Sequence, residues 1–194
     1  MKPVPELDWI GDGLAVWHGF DPEVRCECSS TAVLTGQGWV IFDPIPLSVA
    51  AWAELLAVAK VHAIALTSGN HQRDSLALRP VLKTSIHAPD TAQGEIEADV
   101  WCKEGDAVAG FFLIGLPGGA PGEAAWCDGR HLIVGDALIH LDQLELLPDK
   151  YCSNSAELRK SIKKLWGLEF ESVFFAHGLP LLSQAHRKIA SFPG

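Results

Sequence analysis

The stretch "LTSGNHQRDS" (residues 66–75) places His71, Arg73 and Asp74 in one short polar turn behind an apolar run. An imidazole and a carboxylate can hold a metal ion or pass a proton, whereas a guanidinium stays protonated and does neither. The turn therefore reads either as a metal-binding box with most of its ligands removed or as an ordinary link between a strand and a helix. Other chemistry-bearing patterns are weaker. Cys26-x-Cys28 has no second cysteine pair at finger spacing, and a structural zinc site wants four ligands. "LPGGAPG" lacks the Lys-Ser/Thr of a phosphate-binding loop, and no G-x-S-x-G elbow supports a serine nucleophile. The one basic cluster, "ELRKSIKK", reads as the solvated face of a helix.

The elements around these residues alternate. "LAVWHG", "STAVLT" and "WVIFDP" are short β-rich runs, the last two joined across "GQG" as a hairpin. "PLSVAAWAELLAVAK" has Ser48 as an N-cap and Val49, Trp52, Leu55, Leu56 and Ala59 at helical spacing. "VHAIALT" is a buried-type strand leading into the polar turn. "RDSLALRPVL" then reads as a helix that Pro80 breaks or ends, and "TSIHAP" as another strand. The second half gives strands at "AVAGFFLIGLP", "EAAWCD", "HLIVGD" and "ESVFFAHG". It gives helices at "SNSAELRKSIKKLWGL", with Ser155 as the better cap, and at "LPLLSQAHRKIASF". Two half-domains of strands closed by helices imply stacked sheets with helices outside, and no linker divides them, so residues 1–194 are expected to form one domain.

Of the 194 residues, 48% are hydrophobic and 20% charged, the balance of an ordinary globular protein. A net charge of −9, from 15 basic and 24 acidic residues, argues against a phosphate-backbone binder, so no nucleic-acid partner is expected. No run approaches a membrane span, and "MKPVPELDW" lacks the apolar core of a signal peptide. Five cysteines in a chain of this size read as reduced thiols, giving a cytoplasmic expectation.

Element order and five punctuation marks together resemble the metallo-β-lactamase superfamily. The marks are "VIFDP" with Asp43, "ALTSGNHQRD", "LPGGAPGE", "LIVGD" with Asp136, and "FFAHG" with His177. Members carry T-H-x-H-x-D-H after the strand, a further His in T-P-G-H-T-P-G, then a Gly-Asp and a late Gly-His-Gly. The resemblance implies a four-layered αββα sandwich of α/β class and a hydrolase-like ancestry. Aligned on Thr67, Ser68 and Asn70 stand where two histidines belong, Gln72 replaces the Asp and Arg73 the third His. Gly119 stands in the fourth histidine's place. Asp136, the metal-bridging position, and His177 remain.

A dinuclear hydrolase needs about three protein ligands per metal and an open position for water. Neutral oxygens from Ser68 and Asn70 are poor substitutes for imidazoles, and Gly119 offers none. The leading expectation is thus a non-catalytic or chemically altered member with no cofactor. In it Arg73 replaces metal charge at Asp136, and a small anionic ligand binds near Arg73. The alternative is a mononuclear hydrolase holding one Zn, Fe or Mn ion on His71, Asp74, Asp136 and His177. Plain structural roles stay open: Asp136 capping a strand end, His177 bonded to a carbonyl, Glu123 starting a strand. The sequence assigns no catalytic residue, and a homo-oligomer stays open.

Overall fold

The computed structural model describes residues 1–192. Seven strands form the first sheet in chain order: β1 (Asp8–Trp9), β2 (Leu14–Asp21), β3 (Cys26–Thr35), β4 (Gly38–Phe42), β5 (Val61–Ala65), β6 (Ser85–Pro89) and β7 (Val100–Cys102). The second sheet uses β8 (Ala107–Val108), β9 (Phe111–Gly115), β10 (Ala124–Cys127), β11 (His131–Val134) and β14 (Ser172–Phe175), in the order β14-β11-β10-β9-β8. A hairpin of β12 (Leu138–His140) and β13 (Leu144–Leu146) stands apart.

Side chains alternate across each strand, so each sheet has two faces to cover. Val16, Val33, Phe42 and Ala65 of the first sheet meet Phe111, Leu113, Trp126 and Phe174 of the second in one buried cluster. The opposite face of the first sheet packs on α1 (Val49–Val58) and α2 (Ser75–Leu82). That of the second packs on α3 (Ser155–Ser161), the 3-10 turn Ile162–Gly167 and α4 (Ala185–Ala190). The result is the expected αββα sandwich. No helix among the described residues is long and apolar enough to cross a membrane.

Several local expectations shift. Ser48 does cap α1, accepting from Ala51 N, but Val49 and Leu56 are 88% and 42% exposed, and the buried stripe is Ala51 and Leu55. Pro80 neither breaks nor ends α2; its fixed φ suits the helix, which runs on to Leu82 and stops at a left-handed Lys83. Asn154, not Ser155, caps α3 by accepting from Glu157 N. The long helix expected there tightens into 3-10 geometry at Ile162, and the last one shrinks to Ala185–Ala190. "AVAGFFLIGLP" is the β8–β9 hairpin rather than one strand.

Pairing direction decides where the site lies. β4 and β5 run parallel, with Phe42 opposite Ala65, so Asp43 and the turn from Thr67 leave the sheet side by side. β11 and β14 are also parallel, with Val134 opposite Phe175, so Asp136 and His177 leave the second sheet together. All four segments emerge at carboxyl ends of strands, where open α/β sheets place their crevices.

Candidate metal centre

The turn after β5 is tied down from both sides. Thr67 N donates to Asp43 Oδ1 (2.9 Å), Gly69 N to Pro121 O (2.6 Å), and Ala124 N to Thr67 O (2.8 Å). These bonds turn His71 inward, where it is buried. Its Nδ1 lies 3.0 Å from Asp43 Oδ2 and 2.8 Å from Thr67 Oγ1, which itself donates to Asp43 Oδ2 at 2.5 Å. Nε2 faces the other way, 3.2 Å from Asp136 Oδ1. His177 is held in like manner: Nδ1 donates to Glu27 O at 2.7 Å, and Nε2 lies 3.1 Å from the same Asp136 oxygen. Asn70 Nδ2 donates to Asp136 Oδ2 at 3.1 Å.

Electrostatics follows from this packing. Burial and the nearby Arg73 push the His71 imidazolium down, but Asp136 and Asp43 outweigh them and lift it to about 9. Burial likewise opposes charge on His177, yet its bond to Asp136 raises it to about 9. Burial would raise Asp136, but the His71 and His177 imidazoliums hold its carboxyl well below the usual range.

Asp43, Asn70, Asp136 and His177 therefore converge, as the resemblance implies, and His71 joins them. Arg73 does not replace metal charge at Asp136. Its guanidinium donates to the carbonyls of Ser29 (2.7 Å), Asp43 (2.9 Å) and Ala176 (3.3 Å), tying the two sheets together, and among the described residues it makes no ion pair with a carboxylate. The reason is geometric: Arg73 has a left-handed backbone (φ 39°) that aims its side chain at strand ends, while His71 already fills the space beside Asp136. The other expected ligand, Asp74, lies outside the cluster: it sits at the N-cap position of α2 with its backbone N–H on Pro44 O, and its side chain makes no cap bond. Gln72 turns to the backbone of Glu97, Ser68 Oγ accepts from Asn70 N, and Gly119 O accepts from Ser153 N.

Two contributors escaped the sequence. Thr67 orients the His71 ring through Asp43, and Cys26 places its Sγ 3.4 Å from His177 Nδ1. Thr67 stands in the metal-loop motif and was readable in principle. Nothing in the sequence links Cys26 to a residue 151 positions away.

A model of the metallo-β-lactamase superfamily matches residues 11–192. The chain belongs to that superfamily. No curated protein matches it. Among solved structures, the metallo-β-lactamase of Pontibacter korlensis superposes with a TM-score of 0.72 at 13% identity, covering 97% of this chain and 98% of the other. TTHA1623 in a di-iron-bound form gives 0.67 at 21%, covering 91% and 99%. ETHE1 from Myxococcus xanthus gives 0.63 at 20%, covering 84% and 76%. These likenesses show the shared fold.

The donors present do not fit a dinuclear centre: among the described residues His71, Asp136 and His177 are the one group of three or more possible ligands, and Ser68, Asn70, Gln72 and Gly119 add no imidazole or carboxylate. One metal does fit: His71, Asp136 and His177 offer ligand atoms all within 4.8 Å of one another. Bonds of about 2.1 Å at tetrahedral angles put neighbouring ligand atoms about 3.4 Å apart, so an ion would open the 3.1 and 3.2 Å separations seen here by a few tenths of an ångström. Each imidazole also has its far nitrogen fixed by a carboxylate or a carbonyl, the outer-shell pattern that orients histidine ligands.

Proposed function

We propose that this superfamily member is a mononuclear metal-dependent hydrolase, with His71, Asp136 and His177 as its ligand face. The convergence of those three ligand atoms carries the reading. Two imidazoles and one carboxylate with remaining positions open is a set used for zinc hydrolysis and for iron(II) chemistry. A bound metal would supply Lewis acidity and a water molecule acidified towards neutrality. The chain's residues do the rest. Asp43 and Thr67 hold the His71 ring, Glu27 O holds the His177 ring, and Asn70 holds the second Asp136 oxygen. Arg73 directs its guanidinium to carbonyls rather than to Asp136, although its charge is still felt at His71.

A second reading rests on the completeness of Asp136 without metal. His71, His177 and Asn70 already give it three donors, and two imidazoliums balance Asp43 and Asp136. In that reading the cleft is a structural, non-catalytic remnant. Elemental analysis of chelator-free protein separates the two. About one equivalent of zinc, iron or manganese, lost in His71→Ala, supports the hydrolase. A metal-free chain that takes up no added Zn(II), Mn(II) or Fe(II) supports the remnant.

A further inference from the structure

Glu123 immediately precedes β10 and is buried. Its Oε1 accepts from Ala137 N at 3.0 Å, the residue after Asp136, while Oε2 is buried with no partner. The next residue, Ala124, donates its N–H to Thr67 O at 2.8 Å. Residues 123 and 124 thus touch the Asp136 loop of one sheet and the His71 loop of the other. Two glycines make room. A Cβ on Gly135 would stand 2.5 Å from Thr67 Oγ1 and 2.6 Å from Glu123 Oε1. A Cβ on Gly119, where the superfamily's fourth histidine belongs, would stand 3.1 Å from Glu123 Cγ.

We propose that Glu123 is the positioning residue of this centre: it occupies the space left at Gly119 and, through Ala137 N–H, aims the Asp136 carboxylate at His71 and His177. The inference rests on the proposed ligand face for its metal arm, but the hydrogen-bond geometry stands without metal. Burial, then the neighbouring Asp136 charge, pushes the Glu123 carboxyl well above its usual range. The Ala137 N–H bond holds whichever form the carboxyl takes, and a carboxyl biased towards its neutral form puts less negative charge behind Asp136.

The experiment compares Glu123→Gln, which keeps a neutral acceptor of the same length, with Glu123→Met, which keeps the bulk and removes the acceptor. Proton NMR of metal-free protein reads the imidazole N–H resonances of His71 and His177 bonded to Asp136. Cobalt(II) titration reads affinity and the ligand-field spectrum. Both low-field resonances should persist in Glu123→Gln and weaken or vanish in Glu123→Met. Cobalt affinity should fall by about 10–100-fold in Glu123→Met only, the usual range for an outer-shell contact. If Glu123→Met does not fold, Glu123→Asp, one methylene short of Ala137 N, carries the same comparison. Wild-type resonances in the acceptor-less variant overturn the proposal, as does equal damage in Glu123→Gln. Failure of the wild type to bind cobalt, with the resonances behaving as expected, removes the metal-dependent reading and leaves the positioning role intact.

Discussion

His71 Nε2 and His177 Nε2 share one oxygen of Asp136, at 3.2 and 3.1 Å, although His71 stands at a superfamily loop position that carries no ligand. The imidazole that meets Asp136 from the first sheet thus comes from the residue after Asn70 in the same loop. In the metal-free chain that oxygen serves two imidazolium donors; a metal would have to displace both protons.

Metal uptake should therefore be linked to pH. With both imidazoles lifted to about 9, binding near pH 7 releases about two protons, one per ring. Affinity should rise with pH up to about 9 and level off beyond it. Calorimetry in buffers of different ionisation enthalpy counts the protons, and a count near zero at pH 7 would rule out displacement.

Without metal, the same shifts set the pH dependence of stability. The folded values near 9 exceed the ordinary 6.5, so the folded state keeps protons that the unfolded chain has released. This stabilisation is complete below about 6.5 and disappears as pH rises through about 9. Urea midpoints of chelated protein should fall across that interval, and the fall should shrink in His71→Gln. A midpoint that climbs there contradicts the assignment.

Arg73→Ala should destabilise the fold by about 2–4 kcal/mol, since charge-assisted bonds to the Ser29 and Asp43 carbonyls are lost from a partly buried seam. Arg73→Lys should recover little, because one ammonium cannot span the carbonyls of Ser29, Asp43 and Ala176. Asp136→Asn should give no rescue in the double variant. Recovery in a thermodynamic cycle would mean that Arg73 acts on Asp136 after all.

Gly135→Ala should cost about 1–3 kcal/mol from overpacking alone. The new methyl runs into both Thr67 Oγ1 and Glu123 Oε1. Because those atoms hold the rings and the carboxylate in place, metal affinity should drop alongside the melting temperature. A variant as stable as wild type would show that the loop yields freely.

Much of the architecture was legible because strands and helices announce themselves by period. The runs "STAVLT" and "WVIFDP" became β3 and β4, and Ser48 capped its helix. β7 and the β12–β13 hairpin were not, being three-residue strands without enough alternation to register. At the site, Asp136 and His177 were readable through the motifs that resemble the superfamily's, "LIVGD" and "FFAHG". The orientation of His71 against Arg73 was not. Both follow the same strand by a few residues, and only the left-handed backbone at Arg73 and the bonds from Asp43 and Thr67 decide which turns inward. Asp74 shows the converse: a ligand-type residue that the backbone carries to a helix start and away from the cluster.

The parallel pairs β4–β5 and β11–β14 deliver the ligand-bearing loops from different sheets, His71 from one and Asp136 with His177 from the other. Neither half of the chain holds the full set, so under the proposed function coordination waits until the two sheets have docked. A spectroscopically visible ion such as cobalt(II), added during refolding, would time that docking event. The rate at which its signal grows measures assembly of the sandwich interior rather than formation of any single strand.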